Sequence, residues 1–275
     1  MIISNQNPTF FQNLQNFQNI EDLQDYSYYA PFLPHAIVLT GGIASGKSSC
    51  AKILEGLGFA VVCADKIAHS VLESSVDLLV EAFGEEILLD NARIKSSAKS
   101  SVDSSLESSL DFCADFANAS TIHQKIDRKI LGKIVFADDK KRKLLESITH
   151  PQIHAQIHTK TQELEKQITQ NSQKAKYYFL DIPLFFEGGG KARYNARFSL
   201  SIITSKALQI KRILSRDSLT LEQAQARIDA QMPNALKMQQ SDFVLFNNTT
   251  LEELESSIKD FVKMLDLCDG KISKS

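Results

Sequence analysis

Apolar positions along this chain fall into short β-branched runs separated by longer amphipathic stretches. "AIVLT" (36–40) ends in a glycine-rich turn and predicts a buried strand. The residues that follow set Ile53, Leu54 and Leu57 on one side, which predicts a helix from Gly46–Lys47 that Gly58 closes. "FAVVCAD" (59–65) predicts a second buried strand ending at Asp65. Strand, loop, helix and strand form a βαβ unit, so the expected fold class is α/β with a parallel sheet. Residues 66–170 are helical in pattern, and His150-Pro151 reads as a helix boundary. Further strands are expected at "KYYFLDIPLFFE" (176–187), "RFSLSIIT" (197–204) and "SDFVLFNN" (241–248). Residues 205–232 read as helical, and "LEELESSIKDFVKML" (251–265) as a closing helix.

Two stretches break this order. Residues 1–35 repeat Phe-Gln-Asn in "FQNLQNFQNIEDLQ" and read as a poorly packed extension, with Pro31 and Pro34 marking its boundary. "SSAKSSVDSSLESSL" (96–110) repeats Ser-Ser every four residues and offers almost nothing to bury. Residues 95–124 therefore read as an inserted, mobile segment without catalytic residues, the alternative being a solvated helix with a serine face. The main domain then spans 36–265, with 266–275 as a tail.

Composition adds bounds rather than identity. The chain has 275 residues, 43% hydrophobic and 23% charged, enough for a sizeable core. A net charge of −2 gives no global basic excess to suggest nucleic acid as a partner. "DDKKRK" (138–143) reads as a solvated helix start. The four cysteines, Cys50, Cys63, Cys113 and Cys268, are far apart and form no CxxC pair. Neither zinc nor a disulfide framework is indicated, and thiols in a reducing cytoplasm are expected. The first Lys or Arg is Lys47, so no secretory or transit signal is expected. No apolar run approaches the roughly 18 residues of a membrane helix.

The chemistry starts at Gly41-Gly42-Ile43-Ala44-Ser45-Gly46-Lys47-Ser48, which fits G-x-x-x-x-G-K-[ST] between a strand and a helix. Glycines let the backbone curl so that N–H groups converge on phosphate, and the helix N-terminus adds positive potential. Lys47 is expected on the β- and γ-phosphates of ATP and Ser48 on Mg²⁺. Ser49 continues the donor site. The Asn-Lys-x-Asp segment by which GTPases read guanine is missing, so a phosphotransferase leads. In a parallel sheet, ligands bind at the carboxyl ends of strands, so Asp65 should face the same crevice as the loop. A carboxylate there can orient or deprotonate a hydroxyl acceptor, or cap the following helix. Asp181, ahead of Pro183, suits Mg²⁺, and Glu187 is a second candidate at the crevice rim. Arg212 and Arg216 share a helix face at i, i+4, with Arg227 further along. They either stabilise transferring phosphate or form a solvated surface. His154 and His158, also at i, i+4, lie outside any HExxH pattern.

Taken in order, these segments resemble the dephospho-CoA kinases. The resemblance rests on "IVLTGGIASGKSSCAKILEGLGFAVVCADKIAHSVLE", "FGEEIL", "IDRKILGKIVF", "LLESITHPQI", "DIPLFFE", "QIKRILSRDSLTLEQAQARIDAQM" and "SDFVLFNN". It covers about 36–265 apart from roughly 95–124. It implies a three-layer P-loop NTPase fold with a parallel sheet, a helical substrate-binding region (66–170) and a lid (205–240). It implies transfer of the ATP γ-phosphoryl to the ribose 3′-hydroxyl of dephospho-CoA. Asp65 matches the family's acid/base, Gly42 to Ser48 its ATP loop, and Arg212 and Arg216 its lid arginines. Arg227 and Gln231 fall on R-x-x-x-Q of the lid, and Arg128 and His150 match positions near the acceptor. Cys63 stands where the family usually has Asp, Ala44 where glycine is common and Ser241 where alanine is usual. Ala44 is expected to be tolerated at negative φ. Two rival readings are another small-molecule P-loop kinase and an ATP-binding module without turnover.

Overall fold

The computed structural model describes residues 2–4, 31–89, 125–170 and 176–272. The chain divides into two compact units, Met1–Asp65 with Ile157–Ser275, and Lys66–Gln156. The strands are β1 (Ile2–Ser4), β2 (Leu33–Gly41), β3 (Val61–Cys63), β4 (Tyr178–Asp181), β5 (Ala196–Ile203) and β6 (Phe243–Phe246). The helices are α1 (Lys47–Gly56), α2 (Ala64–Ser74), α3 (Val76–Phe83), α4 (Arg128–Ala137) and α5 (Asp139–Gln170), then α6 (Gly190–Arg193), α7 (Lys206–Arg216), α8 (Leu221–Asp229), α9 (Asn234–Gln240) and α10 (Leu251–Ile272). No described helix is long and apolar enough to cross a membrane.

In the first unit the strands form one sheet in the order β1-β6-β5-β2-β4-β3. All neighbours run parallel except β1, which is antiparallel to β6. β2 is central and covered on both faces, which is why its apolar run is continuous rather than alternating: Ala36, Ile37, Val38 and Leu39 are all 0% exposed. One apolar cluster joins the sheet to α1 and α10, through Cys50 and Leu54 on α1 and Ile258 and Phe261 on α10. The rings of Phe243 and Phe261 meet edge-on with centroids 5.3 Å apart. α1 ends at Gly56, and Gly58 takes φ 90° while its N–H and that of Phe59 reach back to the Glu55 and Leu54 carbonyls. That pattern of bonds stops the helix cleanly.

Several boundaries differ from the sequence expectations. β3 is three residues long and lies at the sheet edge, with Val61 and Cys63 half-buried rather than fully buried. Asp65 therefore sits in the first turn of α2, where a carboxylate complements the helix dipole. β4 lies between β3 and β2, so Asp65 does not follow the strand next to the loop. β2 starts at Leu33, and Pro34 falls within an irregularity of pairing between Leu33 and Ile37, where a residue without an N–H is tolerated. Ile2–Ser4, expected to be poorly packed, pairs with Leu245, Val244 and Phe243. The rest of the extension through residue 30, and the serine-rich stretch, lie outside the described residues.

In the second unit, α3 and α4 share a core of Leu79, Phe83, Ile87, Ile126, Leu131 and Val135. Asp127 caps α4 by accepting from the N–H groups of Lys129 and Ile130 at 2.9 and 3.1 Å. The two flanks of the undescribed stretch are tied together by a Leu88–Ile126 bridge and by Leu89 N–H to Lys125 carbonyl at 2.7 Å. α5 runs through Pro151 without ending there, so His150-Pro151 is not a boundary. Pro151 deprives that helix of one backbone donor. The run 139–143 is exposed, with Arg142 paired to Asp139 at 3.2 Å on the helix surface.

Candidate active site

The phosphate-loop residues connect the carboxyl end of β2 to the first turn of α1. Their geometry demands small residues at defined places. A Cβ on Gly41 would lie 2.6 Å from both the Ile202 carbonyl oxygen and Ser45 Oγ. Gly46, which precedes α1, has φ 94° and packs against the Asn247 side chain. Ala44 has φ 57°, so the condition of a negative φ is not met: the residue sits in left-handed backbone that its Cβ disfavours. Together, residues 41–49 line a cavity of about 660 Å³ with Asp65, Pro183, Arg212, Arg216 and Gln231. Asp65 is exposed there. Leu251 and Leu254, from the start of α10, supply an apolar part of the wall.

Behind the loop, consecutive carbonyls are each held by a side chain. Gln209 Nε2 donates to the Ile43 carbonyl at 2.7 Å. Arg212 Nη1 donates to the Ala44 carbonyl at 3.2 Å. The Ser45 carbonyl accepts from Thr204 Oγ1 at 3.0 Å and Asn247 Nδ2 at 2.8 Å. Gln231 Oε1 accepts the Ile43 N–H at 2.8 Å. Arg212 also donates to Thr204 Oγ1 and to the Asn247 carbonyl, at 3.3 and 3.2 Å. Partial burial pulls its guanidinium pKa below the usual arginine value. Arg212 thus braces the loop, a task the sequence did not suggest. Ser45 Oγ is buried and has no partner among the described residues.

Lys47 pairs with Asp181, and both side chains are nearly enclosed, at 12% and 6% exposure. Ser48 is exposed at the loop. Arg216 makes a two-pronged bond to Asp217, Nε to Oδ1 at 2.9 Å and Nη2 to Oδ2 at 3.0 Å. The hydrogen bond to Asp217 raises the Arg216 pKa, against slight burial, and holds the Asp217 carboxyl below its usual range. Arg227 reaches the same carboxylate at 3.5 Å and does not line the cavity. Glu187 does not line it either. Its Oε1 accepts from Lys237 Nζ at 2.6 Å and from Met232 N–H at 2.9 Å. Burial pushes the Glu187 carboxyl up, but the Lys237 hydrogen bond, backbone N–H bonds and the Lys237 charge together bring it below 4.5.

Arg128 and His150 belong to the second unit, apart from the residues that line the cavity. Arg128 opens α4, and the His150 ring meets the His154 ring edge-on at 6.1 Å. Thr204, Gln209, Lys237 and Asn247 were missed from the sequence. Thr204 and Asn247 directly follow the carboxyl ends of β5 and β6, so the rule that singled out Asp65 would have found them. Ser241, the departure from alanine, is matched by Ser201 at 2.6 Å between hydroxyls.

Comparison with known proteins assigns the chain to a family. The dephospho-CoA kinase family model matches residues 35–100 and 96–253. The dephospho-CoA kinase of Helicobacter hepaticus is 38% identical over 237 residues, covering 86% of this chain and 96% of that one. The Campylobacter jejuni enzyme of the same name is 36% identical over 218 residues, covering 79% of this chain and 90% of its own. A solved dephospho-CoA kinase from Campylobacter jejuni superposes with TM-score 0.53 at 31% identity, over 84% of this chain and 97% of that structure. A Thermus thermophilus crystal structure gives TM-score 0.59 at 27% identity, over 84% and 98% of the two chains. The chain belongs to the dephospho-CoA kinase family.

Proposed function

We propose that this family member transfers the γ-phosphoryl group of ATP to the ribose 3′-hydroxyl of dephospho-CoA, the last step of coenzyme A synthesis. The observation that carries this reading is a braced phosphate loop with an exposed carboxylate, Asp65, lining the same cavity. The loop N–H groups and Lys47 bind the ATP phosphates, for which Lys47 exchanges Asp181 for phosphate oxygen. Leu251 and Leu254 offer apolar surface to the base. Asp65 orients the acceptor hydroxyl and takes its proton as the new O–P bond forms and the bond to the β-phosphate oxygen breaks. Arg216 and Arg212 add positive charge beside the transferring group, with Gln231 on the Ile43 N–H next to it. Glu187 and Arg227 act on the acceptor through the lid, and Arg128 and His150 contact the acceptor from the helical region.

Ser48 and Asp181 offer hard oxygen donors, which suit Mg²⁺. Bound there, the ion would neutralise part of the phosphate charge. ATP and reduced thiols both belong to the cytoplasm, and we assign the reaction to that compartment. The deciding experiment is an acceptor panel with ATP and Mg²⁺, scored by ADP release and product mass. Dephospho-CoA should gain one phosphate at the 3′ position. Phosphorylation of a nucleoside monophosphate in its place would overturn the reading, and ATP binding with no turnover on any acceptor would reduce the protein to a binding module.

A further inference from the structure

We infer that Thr204 is a positioning residue that presets the phosphate loop for nucleotide. Four segments meet at this one residue, which is 0% exposed. Its hydroxyl lies 3.0 Å from the Ser45 carbonyl of the loop and 3.0 Å from the Asn247 carbonyl after β6. The same hydroxyl accepts from Arg212 of α7 at 3.3 Å. Its own carbonyl accepts from Asn234 Nδ2, at the start of α9, at 2.9 Å.

A hydroxyl has one proton to give. The Asn247 carbonyl also accepts from Arg212 Nη2 at 3.2 Å and the Ser45 carbonyl from Asn247 Nδ2 at 2.8 Å, so Thr204 shares the hold on Ser45 with Asn247. A peptide unit whose carbonyl is drawn outward presents the N–H of the next residue inward. Holding the Ile43 and Ser45 carbonyls through Gln209 and Thr204 therefore aims the N–H groups of Ala44 and Gly46 toward phosphate before any nucleotide arrives, while the Ser45 N–H closes the turn onto the Gly42 carbonyl at 3.1 Å. Thr204 is the member of this set that also touches α7 and α9. It passes the position of those helices to the loop. Neither Thr204 nor Gln209 lines the cavity, so neither needs to contact ATP.

The inference deepens the proposed kinase reading and rests on it only for the acceptor. Its test is ATP affinity by calorimetric titration without acceptor, followed by KM values for ATP and dephospho-CoA. Thr204→Val keeps the shape and removes the hydroxyl. It should weaken ATP binding about tenfold, the scale of one well-placed hydrogen bond. The KM for dephospho-CoA should stay within about twofold. Thr204→Ser keeps the hydroxyl and should restore ATP affinity to within about twofold. If Thr204→Val binds ATP as wild type does, or if Ser fails as badly as Val, the inference is wrong. Should Thr204→Val not fold, Gln209→Met removes the brace on Ile43 alone, and unchanged ATP affinity there would overturn the inference equally. A wild type that binds ATP but ignores dephospho-CoA refutes the acceptor assignment and leaves the ATP titration to judge Thr204.

Discussion

Ala44 holds φ 57°, and among the described residues it is the non-glycine residue with positive φ. Left-handed backbone costs an L-residue about 1 kcal/mol or somewhat more. Ala44→Gly should therefore raise stability by up to about 1 kcal/mol, less the extra freedom glycine has when unfolded. Thermal unfolding would show it as a rise of at most about 2–4 °C, and a fall would mean that the loop tolerates alanine without strain. Asp65 makes the opposite case, an exposed group to which we assign a chemical role. Asp65→Asn should bind ATP almost normally while kcat drops by about 10²–10⁴, the usual range for a lost acid/base. Steady-state kinetics with dephospho-CoA checks this, and wild-type turnover would remove Asp65 from its assigned role. The phosphate-loop motif was readable because a phosphate ligand would set its residue types and spacing. Thr204, Gln209 and Asn247 were not, because a brace needs only a donor at the right distance and its partners are 159, 166 and 202 positions away.

At the scale of elements, α9 is anchored by a fully buried lysine. Lys237 is 0% exposed and meets Glu187, itself only 22% exposed, on the segment after β4. Breaking such a pair from one side leaves a buried charge without a partner. Glu187→Ala should cost about 3 kcal/mol in urea unfolding, whereas Lys237→Met, which removes the charge itself, should cost far less. The pair also sets a pH dependence. The folded pKa of Glu187 lies below its unfolded 4.5, so the stabilisation is complete above that value and is lost as pH falls through the lower folded one. Glu187→Gln should flatten this acid limb of the stability curve, and an unchanged limb would assign it to other carboxylates. The sequence read Glu187 as a rim residue because an acidic side chain after a strand is ambiguous until its partner is seen. β3 was overestimated for a related reason. The apolar run 59–65 has the composition of a strand, but an edge position lets Ala64 and Asp65 turn into α2. β2, buried on both faces, left no such freedom and was legible except at its start.

For the whole molecule, low-complexity composition predicts an insert at 95–124, outside the described residues, and the structure describes its flanks. Leu88 and Ile126 bridge where the chain leaves and returns. Closing a loop costs only about 0.6 kcal/mol per doubling of its length. Deleting 95–124 should therefore leave the melting temperature unchanged or slightly higher, and a large fall would show that the segment packs. Dephospho-CoA turnover by the deletion variant measures separately whether the segment affects acceptor access. The N-terminal extension was less legible, because three residues carry too little pattern to announce a strand. Yet β1 occupies the outer side of β6. Without it, the unpaired backbone groups of β6 would form an open template on which a second chain could add a strand. Ile2–Ser4 thus close that edge of β6 to strand addition.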